Sequence, residues 1–202
     1  MLKVNEAIRA EERGADQIEL CSHLEKEGLT PDITLTEKIF RQLSIPVKIM
    51  IRSRGGGFSY TKSEVFYMAD QIRSFSQFPA AGFVIGALDN NNMPDENALR
   101  HWEEAAAGTP LCFHKAIDLT PDWKRAMDMI SEVRGISAIL TSGQHATARE
   151  GIGTLEEMVK LYGDRFEIIS AGSITYLDIP FFLKNWSGRS FHGRRLMESQ
   201  AS

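Results

Sequence analysis

IPVKIMIRSRGGGFSY, residues 45–60, decides the fold. Its first half reads as a buried strand, because Ile45, Val47, Ile49, Met50 and Ile51 form a short apolar run rich in β-branched residues. The run ends on Arg52 and Arg54, and three glycines follow at 55–57. Side chains alternate across a strand, so Ile49 and Ile51 share one face while Lys48, Met50 and Arg52 share the other. In a barrel the outer face packs on helices and must be apolar. Ile49 and Ile51 therefore point outward. Arg52 points inward at the C-terminal end of the strand, the mouth at which parallel barrels build their sites. Arg54 follows in the loop over the same mouth.

Outward from this stretch, short apolar runs alternate with longer helical patterns. Strands are expected at 17–21, 47–52, 82–86, 111–114, 138–141, 166–170 and 189–192, with helices at 3–13, 34–43, 62–78, 94–107, 121–133, 146–162 and 175–185. Thr120-Pro121 offers a cap and a proline at the first helical position, and Asn92-Met93-Pro94 a looser version. Strands separated by helices imply βαβ units and a parallel sheet. The repeat suits a TIM-type (β/α) barrel, and no G-x-G-x-x-G follows a strand to favour an open dinucleotide-binding sheet. A closed barrel has eight strands, whereas seven are visible: the chain opens on a helix, with Val4, Ala7 and Ile8 on one face, and the first strand is missing. Residues 1–202 read as one α/β domain, with no linker or composition break.

The 202 residues are 43% hydrophobic and 25% charged, with a formal charge of -4. This balance offers nothing to nucleic acid or to an anionic membrane. No apolar run reaches the ~20 residues of a membrane-spanning helix, and charges break up the start where a signal peptide would lie. Two cysteines, Cys21 and Cys112, point to reduced thiols in a cytoplasmic protein.

The alternation applied to Arg52 sorts the other strands. In QIELC, Ile18 and Leu20 face the helices, which turns Glu19 and Cys21 inward. In LCFH, Cys112 and His114 face inward; in RSFH, Ser190 and His192 do. Lys48 also faces in, and is expected to reach the lower rim or the gap left by the missing strand. Buried charge is costly unless paired, so Arg52 should meet Glu19 or a bound anion. The loops at Thr141-Ser142-Gly143-Gln144 and Ser170-Ala171-Gly172-Ser173 combine hydroxyls, glycine and helix-start amides, the makings of an anion cradle. Glu19, His114 and Asp118 could form an acid/base set in the pocket, or a satisfied polar network that closes the mouth.

The runs GADQIELCSHLEKEGLTPD (14–32), IPVKIMIRSRGGGFSY (45–60), GFVIGAL (82–88), PLCFHKAID (110–118) and ILTSG (139–143) resemble the CutC copper homeostasis family, in the family's order and over nearly the whole chain. The resemblance implies a TIM-type barrel, a cytoplasmic location and copper handling, with copper(I) bound by cysteine. The family's first-strand cysteine, a proposed copper ligand, has no counterpart here, so only Cys21 carries over as a metal ligand. Ser53 stands for the family's proline, Lys115 for an arginine after His114, Ser190 for an acidic residue and Arg194 for a small one.

Two functions follow as expectations. One is a copper homeostasis protein binding copper(I) through Cys21. The other is a barrel enzyme acting on a small anionic or phosphorylated substrate. It would hold the ligand with Arg52, Arg54, Lys115, Thr141, Ser142, Gly143, Gly172 and His192, with His114, Glu19 and Asp118 as the catalytic set. The residues do not choose between protein and enzyme chemistry. The strands at 17–21 and 189–192 should leave unpaired edges, to be capped by another subunit in a homo-oligomer, bridged by distortion or left open.

Overall fold

A computed structural model describes residues 4–197. Seven strands lie in one sheet in chain order: β1 (Ile18–Leu20), β2 (Val47–Met50), β3 (Gly82–Ile85), β4 (Leu111–Phe113), β5 (Ile136–Thr141), β6 (Glu167–Ala171) and β7 (Ser190–His192). Every neighbouring pair is parallel, from Ile18 opposite Val47 at one edge to Ala171 opposite His192 at the other. Helices α1 (Val4–Glu12), α2 (Ile33–Gln42), α3 (Lys62–Phe75), α4 (Glu96–Ala106), α5 (Trp123–Ser131), α6 (Ile152–Tyr162) and α7 (Ile179–Asn185) alternate with the strands. The sheet curls into a TIM-type barrel that stops one strand short. Among the described residues no pairing joins β7 back to β1.

The alternation read from the sequence sorts the buried residues. Ile49, Ile51, Phe83, Ile85, Leu111 and Phe113 belong to the large core between sheet and helices. Cys21, Met50, Val84, Cys112, Ala138, Leu140, Ile169 and Ala171 form a separate, smaller core inside the barrel. The outer core is the main source of stability, since burying each large apolar side chain contributes about 1.5–3 kcal/mol. It also locks helix to helix: Trp102 of α4 is fully buried and its Nε1 donates to the Val65 carbonyl on α3 at 3.0 Å.

All the expected strands form, with ends moved by a residue or two. Strand β5 starts earlier than expected, at Ile136, because the register slips between Leu111 and Cys112 and leaves Ser137 exposed. Helix starts moved further. Asp122, not Thr120, caps α5, accepting from the Arg125 amide at 3.1 Å. Thr120 instead turns its hydroxyl to the Ile117 carbonyl. Asp95 caps α4 in the same way, through the Ala98 amide. A carboxylate makes a charge-assisted bond to the helix amides and also favours the positive end of the dipole, so it prevails over a nearby threonine or asparagine. Helix α6 begins at Ile152 rather than 146, because Thr147 and Glu150 bond reciprocally and hold a turn before it. The expected helix at 3–13 starts on Lys3, outside the described residues.

The open side of the barrel is a cleft of about 810 Å³. It runs from α1 through the seam between β1 and β7 into the lumen, past Glu19, Lys48, Cys21, Cys112, Glu167 and His192.

Candidate functional site

The C-terminal rim is built on the strand ends read from the sequence. Arg52 is only 2% exposed. It was expected to meet Glu19 or an anion, and it meets backbone instead. Its Nη1 donates to the Lys26 carbonyl at 3.0 Å and the Gly28 carbonyl at 3.4 Å, and its Nη2 to the Gly56 carbonyl at 2.8 Å. Glu27 lies 3.7 Å away and supplies the countercharge. The guanidinium also stacks on Phe58, 4.7 Å from the ring centre. Arg54 pairs with Glu64 at 2.5 Å and donates to the Gly57 and Ser59 carbonyls at 2.9 and 2.7 Å. Two arginines therefore end this strand because the glycine loop presents carbonyls that need donors. A guanidinium fork with five N–H groups suits that task.

His114 sits beside Arg52 against the other part of Phe58, with ring centres 4.7 Å apart. It is 4% exposed. The close approach of its ring requires Gly86, where a Cβ would collide with the imidazole. Burial, reinforced by the positive charge of Arg52, pushes His114 down to about 3, so the ring is neutral. Nδ1 accepts the Ala116 amide at 3.2 Å, which puts the ring proton on Nε2. That Nε2, Arg52 Nε and the Tyr60 hydroxyl are buried without hydrogen-bond partners.

The expected cradle at 141–144 does bind a carboxylate, and the carboxylate is the chain's own. Asp118 accepts from Thr141 Oγ1 at 2.6 Å, from the Ser142 amide at 2.9 Å and from the Gln144 amide at 3.0 Å. Ser142 Oγ lies 2.8 Å from Asp118 Oδ2, and Lys115 Nζ lies 2.8 Å from that hydroxyl and 3.3 Å from the carboxylate. The Gly143 amide turns to Thr141 Oγ1 at 2.9 Å, and the Gly172 carbonyl accepts from the Ala148 amide at 3.1 Å. Asp118 thus ties the loop after β4 to the loop after β5. It makes no contact with Glu19 in the hydrogen bonds and ion pairs of the described residues.

The lumen and its seam form a second polar centre. Glu19 and His192, on the two unpaired edge strands, approach to 3.8 Å and bridge the gap. Lys48 reaches across the lumen from β2 to Glu167 on β6 at 3.7 Å. Glu167 also accepts from Ser190 Oγ at 2.5 Å. Above this layer lie Cys21 and Cys112, 6% and 2% exposed and both unpaired thiols. Burial pushes both thiols up to about 12, reinforced at Cys21 by the charge of Glu19 and opposed at Cys112 by the charge of Lys48. Both are neutral thiols until a cation displaces the proton. Among the described residues no three His, Cys, Asp or Glu side chains gather where a metal ion could sit.

Glu19, Arg52, His114 and Asp118 thus divide between two places: Arg52, His114 and Asp118 line the rim, while Glu19 joins Cys21 and His192 at the seam. Two partners were missed. Glu64 was readable, because Thr61-Lys62-Ser63-Glu64 is a capping box. Glu167 was readable from strand parity, since it shares the lumen face with Ile169. Asp118 as an internal anion was not readable, because it depends on how two loops meet.

A parallel (β/α) barrel with polar groups on the inner ends of its strands is a fold shared by many small-molecule enzymes and binding proteins. The sequence matches the CutC family model over residues 1–195. The chain belongs to the CutC family. It is 32% identical over 189 residues to a human protein named copper homeostasis protein cutC homolog, covering 94% of this chain and 69% of that one. It is 35% identical over 167 residues to a family protein CutC from Enterobacter sp. (strain 638), covering 83% of this chain and 66% of that one. Among solved structures, a putative copper homeostasis protein CutC from Streptococcus agalactiae superposes with a TM-score of 0.84 at 29% identity, over 90% of this chain and 89% of that one. A sialic acid aldolase from Ruminococcus gnavus superposes with a TM-score of 0.65 at 8% identity, over 93% of this chain and 60% of that one, and shares the barrel fold alone. No helix among the described residues is long and apolar enough to cross a membrane.

Proposed function

We propose that the chain is a cytoplasmic copper homeostasis protein that binds copper(I) as cargo, with Cys21 as a thiolate ligand. One observation carries the reading: Cys21 is a free thiol that is buried in the lumen yet lines the cleft open at the seam. Copper(I) prefers sulfur, and a soft thiolate ligand favours it over harder divalent ions. The two unpaired cysteines suit a reducing compartment. The relatives named for copper homeostasis lend the same support. Titration of the reduced protein with copper(I), against a chromophoric chelator, tests the reading. Stoichiometric binding that is lost in Cys21→Ser is the expected result; binding unchanged by that substitution contradicts it.

A second reading is favoured by the three buried donors without partners at the rim, Arg52 Nε, Tyr60 OH and His114 Nε2. Together they suit a small anion on which a barrel enzyme could act. Arg52 already serves three carbonyls, so such a ligand must lift the glycine loop to enter. Protection from thermal unfolding by inorganic phosphate, abolished in Arg52→Met, is the result that supports this reading. Absence of any protection rejects it.

A further inference from the structure

We infer that Cys112 and Met50 complete a three-sulfur copper(I) site with Cys21 inside the barrel, entered through the seam between β1 and β7. The inference rests on the copper reading above and assigns the remaining ligands. Met50 stands on β2 and Cys112 on β4, Cys21 follows directly on the end of β1, and all three belong to one buried cluster inside the barrel. Their side chains point the same way because Cys21, Met50 and Cys112 occupy the inner parity of their strands.

One neighbour places two of the sulfur residues side by side. Gly28 backs onto both Cys21 and Met50: a Cβ there would lie 3.5 Å from Cys21 Sγ and 3.8 Å from Met50 Cε. Gly28 has φ +90, so the backbone turn that brings it so close is one glycine adopts without strain. Cys21 and Cys112 also line the same cleft, so an ion that reaches one from the seam reaches the other.

The remaining walls are Val84, Ala138, Leu140, Ile169 and Ala171, with Leu24 packed over them. Glu19, Lys48, Glu167 and His192 line the same cleft toward the seam. Sulfur ligands disfavour Mg²⁺ and Ca²⁺, which demand oxygen. Two thiolates and a thioether match the preference of copper(I). On loading, each thiol gives its proton to solvent and its electron pair to the metal, and copper stays copper(I), so no oxidant or reductant is needed. Met50 serves as a neutral third donor on a flexible stem that adapts to the ion.

X-ray absorption on the reduced, copper(I)-loaded full chain counts the sulfur neighbours without any substitution. Three are expected. Cys112→Ser should drop the count to two and weaken binding by more than the roughly 100-fold that loss of an outer-shell contact costs. Met50→Leu, which keeps the volume of the side chain, should also lower the count to two. A count of one, with affinity unchanged in Cys112→Ser and in Met50→Leu, overturns the inference while Cys21→Ser still abolishes binding. Copper held by nitrogen or oxygen alone, with Cys21→Ser binding as the unaltered chain does, overturns the copper reading as well.

Discussion

The rim and the seam use similar residues to opposite ends. At the rim, Arg52, Arg54 and Asp118 look like a ligand clamp in sequence, yet each is engaged by the chain itself: carbonyls of the glycine loop, Glu64, and the amides of the loop after β5. At the seam the polar contacts of Lys48 with Glu167, 3.7 Å, and of Glu19 with His192, 3.8 Å, are long, and two thiols face a cleft. The lesson is that charge near a barrel mouth is not evidence of a ligand until its partners are counted. Short contacts to the chain's own carbonyls and amides hold a fold; long contacts beside a cavity leave capacity for something else.

The largest effect that could break this contrast is on Asp118. Asp118→Ala removes a carboxylate that takes two amides and two hydroxyls, and leaves those groups buried. A loss of about 3 kcal/mol in urea unfolding is expected, as for removing one partner of a buried charged pair. A loss under 1 kcal/mol would mean that the rim does not depend on its internal anion.

Next comes the pH dependence of His114. The unfolded imidazole titrates near 6.5, while the native ring stays neutral to about 3. Below pH 6.5 the unfolded chain therefore binds more protons than the folded one, and stability falls as pH drops through that window. Between pH 7 and 5, above the range where most carboxylates titrate, the loss should be about 2 kcal/mol. His114→Gln should flatten the curve, and an equal slope in that variant would place the titration elsewhere.

A smaller effect is expected at Glu64. Arg54, with the Thr61 amide next, holds its carboxyl down to about 2. Glu64→Gln keeps the shape of the capping box and loses the charge, so a cost of about 1 kcal/mol should appear in thermal unfolding. The smallest effect belongs to the seam. Lys48→Met exchanges a weak ion pair across the lumen for an apolar side chain of similar length. Stability should move by less than about 1 kcal/mol, in either direction. A larger loss would show that the seam is held by its charges after all.

Much of this was legible in the residues. Alternation in IPVKIMIR placed Arg52 inward and Ile49 outward, and the same parity sorted Glu19, Cys21, Cys112, His114 and His192, because a barrel wall admits apolar groups on its outer side. The seven parallel strands, one fewer than a closed barrel, were legible too. What was not legible was partnership. Which carbonyls Arg52 serves depends on how the 26–28 and 55–57 loops fold over it, and Asp118 finds its amides in a segment 23 or more residues away. Helix starts were blurred for a related reason: an aspartate a few positions along displaced the threonine and asparagine read as caps.

The contrast between a closed rim and an open, sulfur-bearing seam is tested most directly by a crystal of the reduced chain loaded with silver(I), a stand-in for copper(I), and an anomalous difference map. One peak inside the lumen, between Cys21, Met50 and Cys112, is the expected result. A peak at the rim beside His114, or ions only on surface histidines with the lumen empty, would contradict it.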